Sequence, residues 1–301
     1  IEIVEAGGEA RRVADGAAFW ARPKTEILEK DYAQFFPGLA GEWDEPALTI
    51  HWHAEGRHDY RALAFAPGSR PLDLFAPERK GHAKLYVRRV LITHEADILP
   101  GWLRFIRLVV DSSDLPLNVS REIIQESPVF AAIRKGVTNR VVQELGKLAG
   151  NEPERFAKIW DNFGAVLKEG LYEDPERRDG LFKIARFVTT TQREGGRSLA
   201  DYVGALRPNQ TAIYYLVGED AARLAASPQL EGFRARGIEV LLLSDPVGPG
   251  PWGGRGGGDS TAGRSGRGPR AAPISGAFRW PRAPTTRRRR PAPTWRPCSR
   301  G

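Results

Sequence analysis

A change of character at Asp245-Pro246 limits how much of this 301-residue chain can fold. Of the 55 residues beyond it (247–301), 39 are Gly, Arg, Pro or Ala. Such a composition buries too little apolar surface to offset chain entropy, so the tail is expected to be disordered. It also carries most of the charge. The tail has 12 arginines, no lysine and one acid, Asp259, against a net charge of +8 for the whole chain. The first 246 residues hold 33 basic and 36 acidic side chains and are mildly acidic.

Two readings of the tail stand. Arg, Pro, Gly and Ala are what GC-rich codons yield out of frame, so the abrupt switch reads as a frameshift and the chain as a truncated product without function. Alternatively it is an Arg/Gly-rich segment, with Gly253 to Gly258 and Arg287 to Arg290 as its signature. That segment would bind nucleic acid by neutralising phosphates, with Trp252, Trp280 and Trp295 stacking on bases. No Gly-Lys-Ser/Thr follows the glycines, so a phosphate-cradling loop is not supported.

The body is 17–246 with a short lead-in at 1–16. Overall the chain is 41% hydrophobic and 27% charged, enough apolar material for a packed core. No run of about 18 apolar residues occurs, so no membrane partner is expected. One cysteine, Cys298, excludes an internal disulfide framework and a multi-cysteine zinc site. The chain has no methionine and opens without a basic region or signal-peptide pattern, so it reads as a piece of a longer cytoplasmic protein.

The fold class is α/β: a large α/β/α subdomain (17–134), a helical connector (135–197), a small α/β subdomain (198–246) and the disordered tail (247–301). Glu26 to Phe36 reads as a short helix. Ala47 to Ala54 alternates with Leu48, Ile50 and Trp52 on one face, and Glu55 to His58 turns it back into Tyr60 to Ala66. Lys84 to Thr93 and Arg104 to Val110 read as further strands, with Pro71 to Phe75 in a loop. Beyond Asp114 the period becomes helical: Phe130, Ile133, Val137, Val141, Leu145 and Leu148 form one stripe, with Ser127-Pro128 as its cap. Pro153 opens a second helix bearing Phe156, Ile159, Phe163 and Leu167, and Leu181 to Phe187 is read as a third. Ser198 to Leu206 is a helix. Strands at Ala212 to Val217 and Ile238 to Leu243 flank helices within Ala221 to Arg236, which predicts a parallel crossover.

Candidate chemistry is sparse. His51 and His53 share a strand face and could begin a metal site, but no third ligand has convincing spacing, and the expectation is solvent-facing histidines without metal. No nucleophile elbow or catalytic triad is present. Glu122 and Glu126 lie four apart, ordinary surface spacing on a helix. Arg121, in Leu115-Pro-Leu-Asn-Val-Ser-Arg-Glu122, sits in a first helical turn, against the dipole. It is either a salt-bridged surface arginine or an anion-seeking one suited to a phosphate.

The stretch KLYVRRVLITHEADILPGWLRFIRLVVDSSDLPLNVSREIIQES (84–127) resembles the middle domain of the ninety-kilodalton heat-shock chaperones, in particular their bacterial HtpG branch. WARPKTEI (20–27), RPLDLF (70–75), LKEGLYED (167–174) and GIEVLLLSDP (237–246) extend the likeness over Phe19 to Pro246, and 1–16 resembles the end of the preceding ATPase domain with its linker. The resemblance implies ATP-dependent protein folding and a stress response. It implies that Arg121 reaches the γ-phosphate in the ATPase domain as a catalytic arginine, supported by Asn118 and Gln125. It also implies client contact at Trp43, Trp102 and Leu91, with core packing as the alternative for the two tryptophans. Implied partners are unfolded clients, the N-terminal ATPase domain and a second copy in a homodimer. ATP with magnesium is implied for the intact protein. This stretch contains neither the pocket nor the dimerisation domain, so no cofactor, no ATP turnover and no dimer are expected of it alone.

Overall fold

A computed structural model describes residues 2–3, 11–12, 18–41, 44–72, 74–75, 81–115, 127–208, 210, 212–218, 220–244 and 270–271. In the lead-in, β1 (Glu2–Ile3) pairs antiparallel with β2 (Arg11–Arg12). The body then begins with two 3₁₀ turns, Phe19–Ala21 and Lys24–Glu26, and helix α1 (Glu29–Ala40). The helix starts three residues later than its apolar pattern indicates, because Asp31 Oδ2 accepts from the Leu28 N–H at 2.9 Å and caps it there. It also runs through Pro37. Burial of Phe36 and Leu39 outweighs the hydrogen bond that the proline removes, and Gly41, in the left-handed region (φ 69°), ends it.

The large sheet contains β3 (Pro46–Ala54), β4 (Tyr60–Pro67), β5 (His82–Val87), β6 (Val90–Thr93) and β7 (Arg107–Ser112), in the spatial order β3-β4-β7-β5-β6. Only β5 and β7 are parallel. Lys84 to Thr93, read as one β-rich run, is thus a tight hairpin, turning at Arg88 and Arg89 with φ of 50° and 67°. The last strand begins at Arg107 because Gly101–Leu103 forms a 3₁₀ turn before it.

Strand β4 explains the layering. Its residues are buried on both faces, with Leu63 and Phe65 under α1 and Ala62, Ala64 and Ala66 on the opposite side. That second face is covered by α2 (Pro128–Asn151) and α3 (Pro153–Glu173). Small side chains there let the helices approach closely: a Cβ on Gly136 would lie 2.5 Å from the Tyr60 hydroxyl. Ser127 Oγ accepts from the Phe130 N–H at 3.0 Å, and the whole Phe130 to Leu148 stripe is buried as its period predicts. Phe163 of α3 stacks on Phe105, centroids 4.3 Å apart. Helix α2 runs unbroken across 134/135, and one apolar core continues from the large sheet through the helices to Leu241 and Leu243.

Helix α4 (Arg178–Ile184) stops short of Phe187. The helix read over Leu181 to Phe187 is corrected there: Arg186–Thr189 is strand β8, because Phe187 enters the core while Thr189 and Val188 pair with Leu241 and Leu242. The small sheet adds β9 (Arg197–Ser198), β10 (Tyr214–Val217), β11 (Leu241–Leu243) and β12 (Arg270–Ala271), in the order β12-β10-β11-β8-β9. Helix α5 (Leu199–Gly204) is capped by Ser198. Strands β10 and β11 are parallel and joined through α6 (Ala221–Ala225) and α7 (Glu231–Ala235), the crossover expected from the sequence. The disorder expected of 247–301 concerns residues outside those described, apart from Arg270–Ala271, which pair antiparallel with β10. Among the described residues no helix is long and apolar enough to cross a membrane.

Candidate functional site

Arg121, Asn118 and Gln125 lie outside the described residues, as does Trp43. The two ends of the segment that carries Arg121 are described, and both are fastened. On the entering side, Asp114 Oδ2 accepts from the Asp59 N–H at 2.8 Å, and Ser112 Oγ donates to the Asp59 carbonyl at 3.0 Å. The same hydroxyl accepts from the Asp114 N–H at 3.2 Å, and Leu115 is buried. On the leaving side, the Ser127 cap starts α2. The β3–β4 turn and the start of α2 therefore fix Asp114 and Ser127, the described residues between which Arg121 lies in the sequence.

Trp102 is 1% exposed and belongs to the core. Its indole leaves no room on α3, since a Cβ on Gly170 would lie 2.7 Å from Trp102 Cδ2 and 2.8 Å from Leu181 Cδ1. Of the two roles held for it, core packing is the one its surroundings support. Next to it, Arg104 grips Glu169 through Nη1–Oε2 at 2.5 Å and Nη2–Oε1 at 2.9 Å, while Arg104 Nε donates to the Leu74 carbonyl at 2.8 Å. Arg104 thereby links Leu74 to Glu169 of α3. The bond to Glu169 keeps the Arg104 guanidinium above its ordinary pKa, and burial together with the Glu169 charge raises Glu173. Trp102 also lines a cavity of about 500 Å³ between the Gly101–Leu103 turn, α2 and the end of α3. The ion pairs Lys135–Glu176 (3.0 Å) and Arg177–Asp174 (2.6 Å) border it.

Leu91 is 38% exposed and its neighbour Val90 52% exposed, on the edge strand β6. Leu91 pairs in register with Tyr86, whose ring lies 4.3 Å from that of Trp20 on the α1 side of the sheet. Directly paired residues share a face, so Leu91 and Trp102 lie on opposite faces and do not form one patch. The hairpin that presents Leu91 is strained. Two consecutive non-glycine residues in the left-handed region cost on the order of 1 kcal/mol each, and they are held by Arg89 N–H to Asp111 Oδ1 (3.1 Å) and Arg88 N–H to the Ser112 carbonyl (3.2 Å).

His53 is exposed, with Nε2 2.8 Å from Asp59 Oδ1 and Nδ1 2.9 Å from Glu55 Oε1. His51, expected to face solvent, does not. It is half-buried, with Nε2 3.0 Å from the Trp20 carbonyl and Nδ1 2.8 Å from the Tyr32 hydroxyl. The sequence held no sign of this bridge, whose partners lie 31 and 19 residues away. Among the described residues no group of three His, Cys, Asp or Glu could hold a metal ion.

The sequence profile of the family described as Hsp90 protein matches residues 2–249. The chain belongs to the Hsp90 family. Among its Hsp90 relatives, the chaperone protein HtpG of Mesorhizobium japonicum is 64% identical over 245 residues, covering 81% of this chain and 39% of the relative. The protein of the same name from Rhizobium meliloti is 61% identical over 248 residues, covering 82% and 39%. The chain thus spans about two fifths of the length of these relatives. The middle domain of a Plasmodium falciparum heat shock protein superposes with a TM-score of 0.67 at 26% identity, covering 76% of this chain and 89% of that one. The family resemblance carried by residues 84–127 and the shorter matching stretches, and the α/β fold read from the patterning of the body, are thereby established.

Proposed function

We propose that this chain is the middle segment of an HtpG-type molecular chaperone, acting in ATP-dependent folding of unfolded proteins in the cytoplasm. The observation that carries the reading is that its matched span corresponds to 39% of chaperones of that name and takes the fold of an Hsp90 middle domain. Within such a protein ATP and its magnesium are bound by the N-terminal domain as substrate, and this chain contributes Arg121. A guanidinium fixed against the γ-phosphate neutralises charge as the phosphoryl group transfers. The fastened ends at Asp114 and Ser127 support this role, because a cation acts in the transition state only if it is positioned beforehand. Asn118 and Gln125 support the same segment. Client contact falls to exposed Leu91, with Val90 beside it, and to Trp43. The intact assembly is a homodimer.

The test joins the chain to the flanking segments of the Mesorhizobium japonicum relative and measures ATP turnover. Arg121→Ala is expected to lower turnover at least tenfold, about 1.4 kcal/mol of transition-state stabilisation, with a smaller change in ATP affinity. Undiminished turnover would make Arg121 a surface salt-bridge residue and overturn the reading.

A further inference from the structure

The β5–β6 hairpin turns on two residues, and both are arginines in the left-handed region, Arg88 at φ 50° and Arg89 at φ 67°. Asn-Gly meets a two-residue turn of this kind without strain, so reversing the chain gives no reason for arginine. Holding the turn in place gives none either. Arg89 N–H donates to Asp111 Oδ1 and Arg88 N–H to the Ser112 carbonyl, bonds that any residue but proline would make. Of the two side chains only Arg88 reaches the body, with Nε 3.4 Å from the Ser113 carbonyl. Both are exposed, and among the described residues neither forms an ion pair. Arg104, Arg134, Arg177 and Arg197, by contrast, each hold a carboxylate within 3.0 Å. Asp111, the carboxylate bound to the turn, is already shared between the Arg89 N–H and the Trp20 indole, whose Nε1 donates to Oδ2 at 3.0 Å.

The strain therefore serves side chains that the fold does not use, and strained backbone of this kind clusters at functional positions. The surroundings indicate the partner. Tyr86 pairs in register with Leu91 of β6 and with Asp111 of β7, so Leu91 and Asp111 share a face of the sheet. The turn bound to Asp111 and the exposed Leu91 thus occupy one corner of it. We propose that Arg88 and Arg89 read carboxylates in an extended client segment whose neighbouring apolar side chains lie on Leu91. This rests on the client contact proposed above for Leu91 and adds a preference, for clients with acidic residues beside an apolar run. Guanidinium forks pair bidentately with carboxylates. A two-residue turn fixed by backbone bonds presents them with little of its backbone left to order on binding. Leu91 beside the pair favours a peptide over a polyphosphate chain, which has no apolar side chain to place there.

The test is hydrogen exchange over residues 84–93 of the full chain, at about 0.15 M salt, with and without an added peptide. One peptide carries two glutamates beside Leu-Val-Leu; its control carries glutamines in their place. The glutamate peptide is expected to protect the hairpin at roughly fivefold lower concentration, the effect of two exposed ion pairs. Arg88→Asn/Arg89→Gly removes the guanidinia and suits the turn, so it should erase that difference while its Tm holds or rises. The arginines of the tail are the same in both chains and do not enter the comparison. Equal protection by the two peptides would overturn the proposal without recourse to any variant. A lower Tm for the double variant would also overturn it, by showing that the arginines serve the fold. Protection by oligouridylate and not by the glutamate peptide would do so as well, assigning the pair to phosphates. Leu91→Ser is expected to weaken both peptides and keep the glutamate preference. Unchanged affinity of both for that variant would overturn the client contact at Leu91 and leave the reading of carboxylates by the arginines standing.

Discussion

Glu169→Ala isolates the interaction that fastens Leu74, the Gly101–Leu103 turn and α3 to one another. In the native chain two charge-assisted bonds, at 2.5 and 2.9 Å, join Arg104 and Glu169, whose side chains are 13% and 16% exposed. An exposed ion pair contributes about 0–1 kcal/mol, whereas removing one partner of a buried pair costs about 3–5 kcal/mol because the other charge is left without compensation. Arg104 retains two carbonyl acceptors, Leu74 and Gly101, and some access to water. These lower the cost to roughly 2–3 kcal/mol. For a body of this size that is a fall in Tm of roughly 4–12 °C. Urea denaturation of the full chain followed by circular dichroism measures it. The double variant Arg104→Met/Glu169→Leu is expected to be more stable than Glu169→Ala, since apolar replacement of both partners removes the stranded charge. A loss below about 0.5 kcal/mol for Glu169→Ala would place the pair in the surface class and refute the reasoning. A double variant no more stable than the single would do the same.

Other outcomes follow from packing and capping. Gly170→Ala forces a methyl group to within 3 Å of both Trp102 and Leu181, and should destabilise by roughly 1–2 kcal/mol even after the gain in helix propensity. Gly150→Ala, near the end of α2 with nothing within 4 Å of its new methyl, should instead stabilise by about 0.5 kcal/mol; calorimetry of the two variants gives shifts of opposite sign. Ser127→Ala removes the acceptor of the Phe130 N–H and should cost about 1 kcal/mol by urea denaturation. In the joined chaperone described above, it should also lower ATP turnover more than Gly170→Ala does, because it loosens one end of the Arg121 segment.

What the sequence by itself determined is whatever repeats at a fixed short period. The α2 stripe from Phe130 to Leu148 and strand β3 were legible because one face of each is buried, and burial selects apolar residues at the spacing of the backbone, while β4 and β11, buried on both faces, show as short apolar runs. The family was legible for a related reason, since the stretches that carry the resemblance, Leu115 to Glu122 among them, are runs of consecutive residues. Tertiary structure alone decided the rest. Phe187 follows a helical run in register, yet its neighbours pair with Leu241 and Leu242 more than fifty residues away, so it becomes strand. Trp102 and Leu91 read alike as candidate contacts, but the sheet buries one under α3 and leaves the other at an edge on the opposite face. Arg104 and Glu169, 65 residues apart, have no local mark of partnership. The same is true of His51, whose partners, the Trp20 carbonyl and the Tyr32 hydroxyl, meet it only when α1 and the entry turn close on the sheet. Polar contacts of this kind depend on distances of about 3 Å between groups remote in the chain, and no short-range pattern encodes them.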